Sequence, residues 1–392
     1  MKIWHQIPTE PAFVQNPYPA YALACANSPV QHWPAYGMKA VFSHGLVAKI
    51  LKDRRFGREP LEPIDFAPHL APFYAIEAHS MLELEPPRHT RLRGLVLRAF
   101  TSRRIKELGP EIEVLCDELI AKMPKDTPFD LIENYATPIP VIVICRLLGV
   151  PEDMADQLLI WSNDMVAMYQ ARRDRAIEDK AAQTSQEFSD FIRSYAEQKR
   201  AKPADDLITQ LLSAEEDGEK LSMEELITTC ILLLNAGHEA TVHTLGNGIK
   251  TLIETQTPHT AFSDANIDQT VEEVLRFDPP LHIFTRFCYE DMEIDGHPFA
   301  RGDEVALMLA AANRDPATWS NPNSFDPNRK IETNTSFGGG LHFCVGAPLA
   351  RLELRIGLQK LFHHAPNLKI TEPPNFATLF PSPAFDPLAP PR

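Results

Sequence analysis

Ser336–Arg351 runs SFGGGLHFCVGAPLAR, a single thiol, Cys344, set among glycines where a helix begins. Three uses of a lone loop cysteine can be weighed, and each needs different company. A structural zinc site takes four ligands, usually in close pairs. His342 and Cys344 are two residues apart, and no second cluster of that kind lies nearby. Dithiol exchange needs a partner cysteine at short spacing, which is missing. An inert buried thiol is the ordinary use, yet it leaves Gly338, Gly339, Gly340 and Gly346 without a purpose. Glycines at that density let backbone pass close to something bulky and turn N–H groups inward. The helix starting near Gly346 presents the positive end of its dipole, which favours thiolate. Pro348 suits its first turn, where no backbone donor is needed. The loop is built to hold an anion on sulfur against a flat partner, and a haem iron ligated by cysteine answers that description.

Three further groupings carry chemistry. His89 and Arg93, in EPPRHTRLR, stand at i and i+4 and project from one helix face, where two donors suit a propionate. Alone, such a pair is usually a surface feature. Glu273 and Arg276, in EVLR, form an i,i+3 pair that is ordinarily a surface salt bridge worth a few tenths of a kcal/mol. In AGHEAT, Ala236–Thr241, an acid and an alcohol sit inside an otherwise apolar run, a pairing able to relay protons. Gly237 costs about 1 kcal/mol inside a helix.

The elements that must position these groups are mostly helical. Ser222–Glu254 opens on a capping-box pattern, Ser222 and Glu225, and continues for roughly 50 Å as a helix. Its middle, CILLLNAGHEATVHTL, is apolar nearly all round, as in a helix through a protein centre. Ile105, Leu108, Ile112, Leu115 and Leu119 recur at steps of 3 and 4, predicting one amphipathic helix within Thr101–Met123. A similar stripe predicts a helix over Ala171–Arg200, and Ala347–His363 is helical again. Between them, Leu281–Phe287 and Glu304–Leu309 have the length and turn punctuation of short strands.

Composition excludes some partners. Lys+Arg 38 against Asp+Glu 53 leaves a net charge of −15, the wrong sign for a nucleic-acid binder. No window approaches ~20 consecutive apolar residues, so no membrane span is expected, and the first residues lack a signal-peptide pattern. A soluble cytoplasmic protein is the expectation. Six cysteines without a CxxC pair predict reduced, mostly buried thiols.

The run from Phe337 to Gly346 resembles the haem-binding signature of the cytochrome P450 family, in which Phe, two Gly, His or Arg, Cys and Gly recur at these spacings. The groupings above match further elements of that family in the expected order. The resemblance implies a mainly α fold with minor β. It would be a single haem domain over residues 1–392, with small sheets mostly in the N-terminal part and last third. Haem b, iron protoporphyrin IX, would lie between the long central helix and the cysteine loop. Cys344 would ligate iron, Phe337 would shield its sulfur, and Gly338 and Gly346 would shape the loop. His342, His89, Arg93 and Arg286, in HIFTRF, would reach the propionates. Glu273 and Arg276 would be structural, completed by Arg329 from a later meander. Ala236, Gly237, Glu239 and the residues after it would line the oxygen side.

One departure stands out. The family's usual AGxETT form places the alcohol directly after the acid, but here that position is Ala240, and Thr241 comes one later. One helical step turns a side chain about 100° away. Thr241, a water or a substrate hydroxyl must then assist, or coupling is poor; water or substrate assistance is the favoured expectation. Glu239 argues against a peroxide-using peroxygenase, which in the family carries Arg-Pro instead. A non-catalytic haem-thiolate sensor is the other alternative to a monooxygenase that inserts one atom of O2 into an organic molecule. By family analogy the pocket draws on Phe73, Tyr74, Leu82, Leu233, Ile283, Phe284, Leu379 and Phe380. No Lys or Arg occurs from Glu59 through Pro87, so a neutral, mostly hydrophobic small molecule is expected. Electrons would come from a separate ferredoxin and ferredoxin reductase, with Arg103, Arg104 and Arg351 as candidate docking residues.

Overall fold

The strands Lys2–Ile3 (β1), Val30–Trp33 (β2), Met38–Val41 (β3), Phe56–Gly57 (β4), Ile283–Cys288 (β5) and Glu304–Met308 (β6) form one sheet in the order β1-β2-β3-β6-β5-β4. The computed structural model describes residues 1–124, 127–169, 173–216, 218–374 and Phe376. Leu379 and Phe380 lie outside them. The chain divides into two compact units.

The first unit comprises Met1–Ile64, His243–Ala347 and the segment from Leu358. Its sheet joins distant parts of the chain: β6 pairs parallel with β3 and antiparallel with β5. The apolar run of β6 is buried because both of its faces are covered. Val305 and Leu307 enter a cluster with Val41, Val47, Ile50 and Leu51, whereas Ala306 and Met308 pack with Trp4, Trp33 and Phe42. Register carries this alternation onto β5. Phe284 lies opposite Leu307 and Arg286 opposite Val305, so the two share a face; Ile283, opposite Met308, takes the other.

The second unit comprises Asp65–Val242 and Pro348–Gly357. It holds the helices Ala71–Glu77, Arg88–Ala99, Pro138–Leu148, Ala155–Val166 and Arg175–Ala201. The Thr101–Met123 stripe is two helices rather than one, Ser102–Glu107 and Gly109–Lys122. Pro110 lacks the N–H that a continuous helix needs there, so the chain re-initiates with proline in the new first turn. The next long stripe starts at Arg175 rather than Ala171, because Asp174 caps it by accepting from the Ile177 N–H at 2.9 Å. The central helix, Met223–Glu254, crosses from this unit into the first. Its expected capping box is present in both directions. The Ser222 N–H donates to Glu225 Oε2 at 2.8 Å, and the Glu225 N–H to Ser222 Oγ at 3.2 Å. Among the described residues no helix is long and apolar enough to cross a membrane.

Glu273 and Arg276, expected at a surface on helical statistics alone, are sealed within the first unit at 1% side-chain exposure each. Arg276 donates Nε and Nη2 to the two Glu273 oxygens at 2.7 Å. Arg329 Nε reaches the same carboxylate at 3.0–3.1 Å, and the Asp326 N–H adds a bond at 2.9 Å. The remaining guanidinium hydrogens go to carbonyls of Asn313, Pro322 and Ser324 from Arg276, and of Ser320, Asn321 and Ser324 from Arg329. Removing the carboxylate strands two guanidiniums in the interior. Glu273→Gln is therefore expected to cost about 3–5 kcal/mol, measured by urea unfolding; a loss under about 1 kcal/mol would show that the cluster is replaceable.

Candidate functional site

Asn313 carries the order of that cluster to the cysteine loop. Its Oδ1 accepts the Thr335 N–H and hydroxyl at 2.8 and 2.9 Å, and its Nδ2 donates to Ser336 Oγ at 2.8 Å. Ser336 Oγ in turn donates to the Leu275 carbonyl at 2.7 Å. The loop that follows closes on itself. The Gly338 N–H reaches the Thr335 carbonyl at 2.9 Å, and the Cys344 N–H reaches Phe337 at 3.1 Å. Gly340 sits at φ +65°, and a Cβ there would lie 2.2 Å from the Leu51 carbonyl oxygen. At Gly338, φ +69°, a Cβ would meet Phe284 Cε2 at 2.9 Å. The glycines are thus required by the approach of Leu51 and Phe284, a demand the sequence alone assigned to a flat partner.

The six cysteines are free, and Cys344 differs from the others in setting. Burial pushes the Cys25 and Cys145 thiols up to about 11 and the Cys230 thiol up to about 12, so these remain protonated. Cys344 is half-buried, two residues before Gly346, which caps the helix Ala347–His364. His342 ends the turn Gly340–His342 of the same loop, and Arg286 is buried on the face of β5 that bears Phe284. A thiol at a helix N-terminus, with an imidazole and a guanidinium from the same unit, fits a haem with its iron and propionates.

In the second unit, His89 and Arg93 stand on the helix Arg88–Ala99, the former buried and the latter half-buried. Arg91 of that helix pairs with Glu225 and Glu219, tying it to the start of the central helix. On the central helix Ala236 is exposed and Ala240, one turn on, is half-buried, which marks its accessible face. Gly237 points elsewhere: a Cβ there would make ordinary contact with Ile144 Cδ1 at 3.7 Å. The missing side chain therefore faces a neighbouring helix, not the accessible face. His238 is buried with its Nδ1–H on the Leu234 carbonyl at 2.9 Å, and Glu239 is half-buried. Thr241 is 4% exposed and donates to the Gly237 carbonyl at 3.1 Å, so its hydroxyl is turned back along the helix.

Beside that hydroxyl lies Glu353, a residue missed in the sequence. Glu353 is 2% exposed, and burial raises its carboxyl to about 8, against a smaller opposing effect of Thr241. The signal was available. Glu353 is one turn past Leu349 and three residues before Ile356, both buried, so a carboxylate stands in phase with an apolar stripe.

Phe73 is fully buried against Tyr74 and Tyr169, and Tyr74 stacks on Phe66 at 4.2 Å. Leu233 is buried, whereas Leu82 is 40% exposed. Ile283 and Phe284, expected to line the same wall, take opposite faces of β5, one packed on the Trp4 cluster and the other on the Leu51 cluster. Arg173 adds a cation that the Glu59–Pro87 segment lacks. It lies beside the Tyr74 hydroxyl and is ion-paired with Glu178 at 3.2 Å, which also takes His69 at 2.9 Å. Of the candidate docking residues, Arg103 and Arg104 are already paired with Glu107 and Asp205.

A family model described as Cytochrome P450 matches residues 41–260 and 266–369. The chain is 39% identical over 364 residues to the vitamin D(3) 25-hydroxylase of Pseudonocardia autotrophica, covering 91% of this chain and 88% of the relative. The solved structure of the bacillaene polyketide synthase cytochrome P450 PksS from Bacillus subtilis 168 superposes with a TM-score of 0.87 at 32% identity, over 97% of this chain and 98% of that one. P450BioI in complex with an acyl carrier protein ligated to hexadec-9Z-enoic acid superposes at 0.86 and 31% identity, over 92% and 94%.

Two measurements check the local physics. Gly340→Ala forces a side chain into a left-handed residue against backbone, and thermal unfolding is expected to show a loss of at least about 1–3 kcal/mol. Glu353 binds a proton in the native protein that the unfolded chain releases. Its stabilising contribution is complete below about pH 4.5 and is lost as pH rises to about 8. Glu353→Gln should therefore gain on the wild type by up to about 1.4 kcal/mol per pH unit across that window and level off above it, in urea titrations at several pH values.

Proposed function

The chain belongs to the cytochrome P450 family and is a monooxygenase of that family, and from that premise we propose that it oxidises a neutral, largely hydrophobic small molecule with electrons from a separate ferredoxin and its reductase. The observation that carries the reading is the glycine-locked loop around Cys344. The residues assigned to haem b are Cys344 for iron, His89, Arg93, Arg286 and His342 for the propionates, and Phe337 beside the sulfur, with residues 1–392 acting as one haem domain. Haem held through a cysteine thiolate supplies the electron-rich iron that favours cleavage of dioxygen. Ala236 and Ala240 leave room on the central helix for dioxygen, and Glu239 is the acid of that element that would help deliver protons.

Charge supports the substrate class. Phe73 and Tyr74 of the candidate lining pack with Phe66 and Tyr169 in one aromatic group. Among the described residues Arg173 is a cation brought to that segment, and Glu178 neutralises it at 3.2 Å. A carboxylate would have to displace that pairing, at a cost no neutral ligand meets. The name of the Pseudonocardia relative, a vitamin D(3) hydroxylase, is in keeping with an apolar substrate.

The reduced protein is expected to give a carbon monoxide adduct with the strongly red-shifted band of thiolate ligation. A panel of sterols, terpenoids and alkyl aromatics should then produce high-spin shifts that Arg173→Ala leaves within about twofold in affinity. Tight binding of a free fatty acid such as hexadec-9Z-enoic acid, abolished by Arg173→Ala, would falsify the neutral-substrate reading.

A further inference from the structure

Asn235 interrupts the apolar middle of the central helix, and its Oδ1 is buried with no hydrogen-bond partner among the described residues. Its Nδ2 lies 3.9 Å from the Met165 sulfur, a weak acceptor. That contact orients the amide. The N–H side suits a thioether, so the oxygen is the atom that lacks a donor. An apolar side chain of similar size, such as the leucines that precede it, would fill the position without burying an unpaired amide oxygen. The position also faces the candidate pocket. Thr228, Leu232, Asn235 and Glu239 recur at steps of 4, 3 and 4, one face of the helix Met223–Glu254. From that face Thr228 donates to the Ile76 carbonyl at 3.2 Å, which sets the helix Ala71–Glu77, with Phe73 and Tyr74, alongside. Met165 stands one turn before Tyr169, whose ring packs on Phe73 at 6.1 Å. The face that bears Asn235 is therefore flanked, within one unit, by both segments that supply the aromatic group of the candidate lining.

We propose that Asn235 selects the substrate by a hydrogen bond: its Oδ1 accepts the hydroxyl hydrogen of an otherwise apolar molecule. This deepens the neutral-substrate reading above and rests on it. The Asn235 side chain keeps partial exposure although Oδ1 itself is turned inward. The χ2 torsion of asparagine is broad and roughly two-fold, so the amide can turn Oδ1 to a ligand while giving up only the contact with sulfur at 3.9 Å. A hydroxyl entering apolar surroundings loses its water, and the amide oxygen replaces that bond. An analogue with methyl in place of the hydroxyl has no hydrogen to give, and it leaves the amide oxygen as it was. The substrate class narrows accordingly, from neutral hydrophobic molecules to those that carry a hydroxyl on an apolar frame. Asn235 does no chemistry; it decides which molecule is held and which way round.

The test uses the full-length haem-loaded protein and reads binding rather than turnover, by equilibrium dialysis alongside the high-spin shift. The probes are a sterol, a terpene alcohol and an alkylphenol, each beside the analogue in which methyl replaces the hydroxyl. The quantity compared is the alcohol-to-analogue affinity ratio, because setting wild type against variant cancels the general difference in hydrophobicity. For at least one pair, Asn235→Leu should lower that ratio about tenfold or more. Asn235→Asp, which keeps an acceptor oxygen in the same place, should retain most of it. A ratio that stays within about twofold of wild type in Asn235→Leu for every pair overturns the anchor and leaves the neutral-substrate reading in place. So does a weakening of alcohol and analogue by the same factor, the signature of a merely structural asparagine. If none of the probes binds while hexadec-9Z-enoic acid does, the neutral-substrate reading itself fails and the anchor falls with it.

Discussion

A carboxylate between two guanidiniums, with no water to share the charge, is the constraint on which the cysteine side of the molecule depends. Glu273 can be buried only because Arg276 and Arg329 both meet it, and the arginines only because backbone carbonyls take their remaining hydrogens. Those carbonyls come from residues 313–324, so satisfying the charges folds an otherwise irregular segment around them. Such a cluster adds little net stability against an apolar equivalent, but it penalises every misplaced partner. Asn313 then passes the order on, through Thr335 and Ser336, to the loop that carries Cys344. The thiol is held in place from behind, by groups that take no part in its chemistry.

The central helix solves a different problem. Its middle must be apolar to lie within a core, yet proton delivery needs polar groups there. Two of the polar side chains are accommodated by bonds along the helix: His238 bonds Leu234, and Thr241 bonds Gly237. The accessible face is left to the small residues Ala236 and Ala240. Small residues and hydrogen-bonded polar residues thus occupy different faces of one helix.

Much of this was legible in the chain. Chemistry that demands particular residue types at fixed local spacing appears in the letters themselves: the glycines and cysteine of 336–346, the i,i+3 pair of 273 and 276, the capping box of 222 and 225. Where local rules competed, the reading was less secure. The stripe from Ile105 to Leu119 kept its period across Leu108, but Pro110 broke the backbone beneath it. Gly237 was taken for room beside a ligand, whereas its open side meets Ile144. Ile283 and Phe284 were assigned to one wall, and strand alternation places adjacent residues on opposite faces.

The sequence by itself pointed to the family and the helical class and singled out one thiol, because each follows from residue types at short, fixed separations. Tertiary structure alone decided which distant groups meet. The pairing of β3 with β6 joins residues some 266 apart (Lys39 with Val305), and no local pattern encodes a partner at that distance. The same holds for Arg173 meeting Tyr74 and Glu353 meeting Thr241, whereas Arg329 meeting Glu273 was expected from the family resemblance. Burial is the physical reason. A carboxyl's charge depends on how much water the rest of the fold removes from it, and Glu353 is an acid or a carboxylate at neutral pH only by virtue of its surroundings.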